Sequence, residues 1–192
     1  MITTELIKTL RDQTGISIMQ CKKALEEAEG DMAKALVILS KKSSEIASKK
    51  GDRELGSGAV GSYLHSSGTI GAMVLLLSET DFVSKNDEFR ALARDIAMHV
   101  AATNPEFLSS ADIGEEAKAT AREVFAKEAE GKPADMMEKI IEGKLVAYFK
   151  DKVLLEQSFI KNPDITIGGL VSAAVQKFGE RIEVARFERL SA

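Results

Sequence analysis

Ile70-Gly71-Ala72-Met73-Val74-Leu75-Leu76-Leu77, running through Ser78-Glu79 into Thr80-Asp81-Phe82-Val83 and then Ser84-Lys85-Asn86-Asp87, decides the fold. The opening run is nearly continuous in apolar residues and far too short to span a membrane. It reads as a strand buried on both faces or close to it. Ser84 to Asp87 reads as a helix start. Thr80 to Val83 therefore stand at a strand-to-helix turn, where an aromatic and a carboxylate side by side project from a rigid scaffold. Left in water, Phe82 exposes apolar surface that a partner would cover. The plainer reading tucks Phe82 into its own core and uses Asp81 to cap the following helix. The residues leave both open.

Working outward, Ala59 to His65 alternates loosely and Ser66-Ser67-Gly68 is a turn, so these residues and Ile70 to Leu77 make a hairpin. A helix is expected from about Asn86 to Ala102, with Phe89, Leu92, Ala93, Ile96 and Val100 on one face and Asn104-Pro105 as its stop. Residues 114–150 read as mostly helical. Ala117, Ala121, Val124 and Phe125 share one side, Gly131-Lys132-Pro133 breaks the run, and Met137, Ile140, Ile141, Leu145 and Tyr148 follow. Asn162-Pro163 reads as another breaker. Thr166 caps a helix through Phe178 that Gly179 ends, and Arg181 to Leu190 reads as a closing strand on the hairpin sheet. Residues 59–192 are thus an α+β domain, a small antiparallel sheet packed by helices.

Residues 1–40 read as three short helices. Thr3 or Thr4 caps the first and Thr14-Gly15 ends it. Ser17 and Gln20 have capping-box spacing for the second, whose stripe is Ile18, Cys21, Leu25 and Ala28, with Gly30 as its end. Asp31 caps the third, with Met32, Ala35, Leu36 and Leu39 on one face. Each is too short to stand alone, so the three bury one another's faces in a compact bundle. Residues 41–58, rich in Lys, Ser and Gly, read as a solvated linker, partly helical around Glu45 to Ala47.

At 192 residues, 44% apolar and 29% charged, the chain has the composition of a soluble globular protein. A net charge of −4 argues against coating nucleic acid, and zero Trp with two Tyr leaves few stacking platforms for bases. A single cysteine, Cys21, excludes an internal disulfide, and the start of the chain runs straight into a helix without a signal pattern; a reducing cytoplasm is expected. Gly168-Gly169 lacks the spacing of a phosphate-cradling loop. The two histidines and the one cysteine are dispersed, so no metal site and no cofactor is expected. Hydrolytic chemistry would require His65 or His99 as a base with Asp81 or Asp95 orienting it. A half-buried structural histidine is the simpler role for each. From residues alone the chain is a two-domain binding protein rather than an enzyme.

Leu10-Arg11-Asp12-Gln13-Thr14-Gly15-Ile16-Ser17-Ile18-Met19-Gln20-Cys21-Lys22-Lys23-Ala24-Leu25, continued by Glu29-Gly30-Asp31, closely resembles the N-terminal signature of the bacterial elongation factor Ts family. Glu79-Thr80-Asp81-Phe82-Val83 resembles that family's second signature. Ser62 to His65, Asp95 to His99, Glu130 to Pro133, Leu155 to Gln157 and Ile182 to Arg189 are similar as well. The chain departs at Leu77-Ser78, where Asn-Cys is usual, at Ser84, where Ala is common, and at Ser158, where Pro is usual.

The resemblance implies a guanine-nucleotide exchange factor for elongation factor Tu, the GTPase that delivers aminoacyl-tRNA, and no covalent catalysis. It implies that residues 1–40 form a ubiquitin-associated (UBA-like) bundle gripping the GTPase. Thr80, Asp81, Phe82 and Val83 would dislodge Mg²⁺ from the GTPase, Phe82 as a wedge and Asp81 hydrogen-bonding beside it. Arg11, Met19 and His99 are expected as secondary contacts, and homodimerisation through the core is implied as a weaker inference.

Overall fold

The computed structural model describes residues 2–49, 54–129 and 133–192. Across them the chain is α+β, with eight α-helices, a three-stranded antiparallel sheet and a separate two-stranded one. Residues 50–53 of the expected linker and Gly131-Lys132 of the expected break lie outside the described residues, as does most of the Glu130 to Pro133 motif.

The N-terminal helices start and stop where the capping chemistry places them. α1 (Thr4–Thr14) begins with Thr3 Oγ1 accepting from the Leu6 N–H at 3.2 Å and ends at Gly15, whose φ of 67° only glycine adopts without strain. α2 (Ile18–Glu27) begins with Ser17 Oγ accepting from the Gln20 N–H at 3.3 Å. Asp31 Oδ1 accepts from the Lys34 N–H at 3.0 Å and starts α3 (Met32–Lys49). Leu10, Ile16, Cys21, Leu25, Ala35 and Leu39 close a core between the three helices. α3 continues past Leu39 to Lys49, into the stretch read as linker. Lysine and serine are polar without being helix breakers, and Lys42 pairs with Glu27 of α2 at 2.7 Å.

In the second part, β1 (Ser57–Leu64) and β2 (Ile70–Ser78) form the hairpin, and β5 (Ile182–Ser191) pairs antiparallel on the other side of β2. Val60 faces Leu75, and Gly71 faces both Leu64 and Leu190. Ala72, Val74 and Leu76 are buried in one core with Phe89, Ala93, Ile96 and Val100 of α5 (Asp87–Thr103). The two layers meet so closely that a Cβ on Gly61 would lie 2.2 Å from the Ala93 backbone. β2 is not buried on both faces. Its odd-numbered residues point away from α5, Met73 is 54% exposed, and Leu75 and Leu77 are half covered. The apolar run thus conceals an alternation, because it sits at the centre of a sheet with only one packed face.

Between β2 and α5 lies one helical turn, α4 (Asp81–Ser84). α6 (Glu115–Glu128) and α7 (Ala134–Lys150) pack against each other, with ion pairs Arg122–Glu138 and Lys144–Glu128 across the pair. A short ladder of β3 (Ser158–Phe159) and β4 (Asn162–Thr166) leads into α8 (Ile167–Phe178), capped by Thr166 Oγ1 and ended by Gly179 at φ 68°. α8 packs on α3, where the Gln176 side-chain amide donates to the Leu39 carbonyl and Ala173 joins the N-terminal core.

Candidate functional site

The turn after β2 separates its side chains sharply. Val83 is 2% exposed and packs into the main core, whereas Phe82, one residue earlier, is 83% exposed. A short helical turn places neighbouring residues about 100° apart, so anchoring Val83 and Ser84 inward drives Phe82 outward. Asp81 does not cap α5. Asn86 does, its Oδ1 accepting from the Glu88 N–H at 2.8 Å. Asp81 instead pairs with Lys85 at 2.7 Å on the surface, and that hydrogen bond and positive charge hold its carboxyl below the usual carboxylate range.

The turn is held from several sides. Ser84 Oγ lies 2.7 Å from Ser57 Oγ of β1, and Ser78 Oγ donates to the Thr80 carbonyl at 3.0 Å. Thr80 makes no side-chain cap to α4. Its hydroxyl donates to Glu180 Oε1 at 2.6 Å and its N–H to Glu180 Oε2 at 3.1 Å. One residue away, the Arg181 N–H donates to Glu79 Oε1 at 2.6 Å. Sequence reading missed Glu180 and Glu79 in this role. They are joined to their partners across the length of the domain, and no local pattern signals such a pairing.

The secondary contact candidates divide. Arg11, in the last turn of α1, is exposed, and Met19 at the start of α2 is 65% exposed next to exposed Ile18. His99 is 0% exposed. Its Nε2 lies 2.9 Å from Gln157 Oε1 and its Nδ1 accepts from the Ile160 N–H at 3.4 Å, which places the ring proton on Nε2. Burial pushes its pKa down, the Gln157 hydrogen bond opposing in part. A residue so enclosed orders α5 against the segment around Phe159 and is not at hand for another molecule in this conformation. It was expected half-buried and is instead wholly enclosed beside the α5 stripe.

Among the described residues neither histidine has the carboxylate that base catalysis would require. Asp81 is turned to Lys85, Asp95 pairs with Lys161 at 2.6 Å, and exposed His65 sits 2.9 Å from Ser67 Oγ in the hairpin turn. Among the described residues there is no group of three or more His, Cys, Asp or Glu able to hold a metal ion. Among them, too, no helix is long and apolar enough to cross a membrane.

The α+β scaffold thus offers the Phe82 ring to solvent from a turn held by hydrogen bonds on both sides. The elongation factor Ts family model matches residues 7–192. The chain is 48% identical to elongation factor Ts of Carboxydothermus hydrogenoformans over 191 residues, covering 98% of this chain and 88% of that one. It is 46% identical to that of Thermodesulfovibrio yellowstonii, with 98% and 94% covered, and 44% identical to that of Acetivibrio thermocellus, with 98% and 89% covered. The chain belongs to the elongation factor Ts family, a family of translation elongation factors.

Proposed function

We propose that this protein is a guanine-nucleotide exchange factor for elongation factor Tu. It binds the GDP form of that GTPase, displaces Mg²⁺ and speeds GDP release so that GTP can bind. The single observation that carries the reading is Phe82, held almost wholly in water on a turn whose neighbours are buried or bonded. Such a ring loses its unfavourable hydration on entering an apolar crevice. Mg²⁺ neutralises phosphate oxygens of the bound nucleotide, so its loss leaves their charge unbalanced and weakens GDP. Asp81, kept ionised by Lys85, offers a hydrogen-bond acceptor beside the ring. Val83 anchors the turn to the core.

Magnitude argues that the ring does not act alone. Weakening GDP by about 10⁴-fold takes roughly 5.5 kcal/mol of coupling, and burying one Phe supplies about 1.5–3 kcal/mol. The remainder falls to a wide interface that favours the nucleotide-free GTPase. The N-terminal helices, read as a UBA-like bundle, supply part of it through exposed Arg11 and Met19. Linkage is reciprocal, so excess nucleotide expels the factor. A homodimer is proposed through the outer face of the sheet, where Val60, Leu64, Met73 and Leu190 are exposed. The protein works in the cytoplasm without cofactor or metal of its own and without contacting nucleic acid or membrane.

The test is stopped-flow release of a fluorescent GDP analogue from elongation factor Tu. Wild type is expected to accelerate release strongly and folded Phe82→Ala to lose most of that effect. No acceleration by folded wild type would overturn the reading.

A further inference from the structure

We infer that Glu180 is a positioning residue that fixes the outward-facing shape of the Thr80–Val83 turn, and that Thr80 serves this internal clamp rather than a partner. A helix of four residues cannot hold its own geometry, since nucleating a turn costs more conformational freedom than one backbone hydrogen bond returns. Its N-cap residue contributes no side-chain cap, because the Thr80 hydroxyl and N–H both turn to the one carboxylate of Glu180, at 2.6 and 3.1 Å. Bonds to an ionised acceptor are stronger than neutral ones, and two of them from one residue fix its backbone and side chain together. The reciprocal bond from the Arg181 N–H to Glu79 Oε1 at 2.6 Å ties the same two segments a second time. Residues 79–80 and 180–181 are therefore stitched crosswise immediately before Phe82.

Glu180 is itself placed by a rigid element. It follows Gly179, the left-handed residue that ends α8, and α8 is seated on α3 through Gln176 and Ala173. Phe82 is thus oriented by a chain of contacts that begins in the N-terminal helices. With the clamp removed, the ring keeps its chemistry but samples many directions, and binding must then order it. The consequence for GDP release rests on the exchange reading; the clamp itself does not.

Two measurements on the full chain test it. Amide hydrogen exchange is followed in the free protein, and GDP release is followed against increasing factor concentration. In Glu180→Ala the Thr80 amide is expected to exchange about tenfold faster or more. Glu180→Gln keeps one carbonyl acceptor for the hydroxyl and loses the second, so it falls between wild type and Ala. The plateau rate of GDP release follows the same order, while the half-saturating concentration stays within about twofold, because the wide interface is intact. A merely structural role would lower the active fraction and move half-saturation instead. Thr80→Val removes the 2.6 Å bond from the other side, and adding it to Glu180→Ala brings little further loss. Thr80 amide protection unchanged in folded Glu180→Ala, or in Glu180→Gln where Glu180→Ala does not fold, overturns the clamp. An unchanged plateau with protection lost overturns the positioning role. Failure of wild type to release GDP sinks the exchange reading alone and leaves the amide result to decide the clamp.

Discussion

Phe82 and Val83 are adjacent in sequence, yet one lies in water and the other in the core. Because the Phe82 ring supports nothing inside the molecule, Phe82→Ala is expected to change stability by less than about 0.5 kcal/mol. Its effect on GDP release is expected to reach roughly tenfold to a hundredfold, the kinetic equivalent of burying one aromatic. Thermal unfolding beside stopped-flow release checks both halves. His99 is the opposite case, a residue whose effect is on the fold. Its folded-state pKa is lowered, so on acidification the unfolded chain takes up a proton first. Stability on its account is complete above about pH 6.5 and declines as the pH falls from there towards the lower folded value. Urea unfolding at steps from pH 7.5 to pH 5.5 is expected to show that decline, and His99→Asn to flatten it. Sequence spacing marked both residues but did not decide their exposure. Phe82 stood open between core and surface, and His99 read as a half-buried structural histidine; in each case packing by distant segments decides the outcome.

At the scale of elements, the ends of helices were the most legible feature, because a cap is chemistry within a few residues. Ser17, Asp31, Thr166 and Gly179 each do what their residue type suggests. Extent was less legible. The polar residues after Ser40 look like a tether, but nothing there stops a helix, and α3 runs on to Lys49. The ladder of β3 and β4 was hidden because Asn162-Pro163 read only as a break. The shift of register between Leu75 and Leu76, where β2 meets β5, leaves no trace in an apolar run. Nothing in the sequence singles out Gly61, yet it lies where β1 packs directly on the α5 backbone. The neighbour is backbone and cannot turn aside. Gly61→Ala is therefore expected to destabilise the fold by about 1–3 kcal/mol, read as a lower urea midpoint. An unchanged midpoint would mean that α5 shifts away from the strand freely.

At the scale of the whole molecule, α8 joins the two parts, reaching α3 at one side and delivering Glu180 to the Phe82 turn at its end. Among the described residues no such element covers the opposite side of the sheet. Val60, Leu64, Met73 and Leu190 alternate onto that face by register and remain exposed there, flanked by Arg186 and Glu188, which pair with each other at 2.7 Å. A symmetric pair buries these four side chains from each protomer, all still roughly two-thirds exposed, and at about 1.5–3 kcal/mol per fully exposed side chain that gives roughly 8–16 kcal/mol, against association costs of about 4–15 kcal/mol. The two terms are close enough that self-association through this face should depend visibly on concentration. Sedimentation velocity over a dilution series is expected to show monomer and dimer in exchange. Met73→Glu, at the centre of the face and on the exposed side of β2, should shift the population to monomer while leaving the unfolding temperature of the dilute protein unchanged. Dimer that persists in Met73→Glu would move the interface off the sheet. A wild type that stays monomeric at every concentration would leave the face free for a different partner.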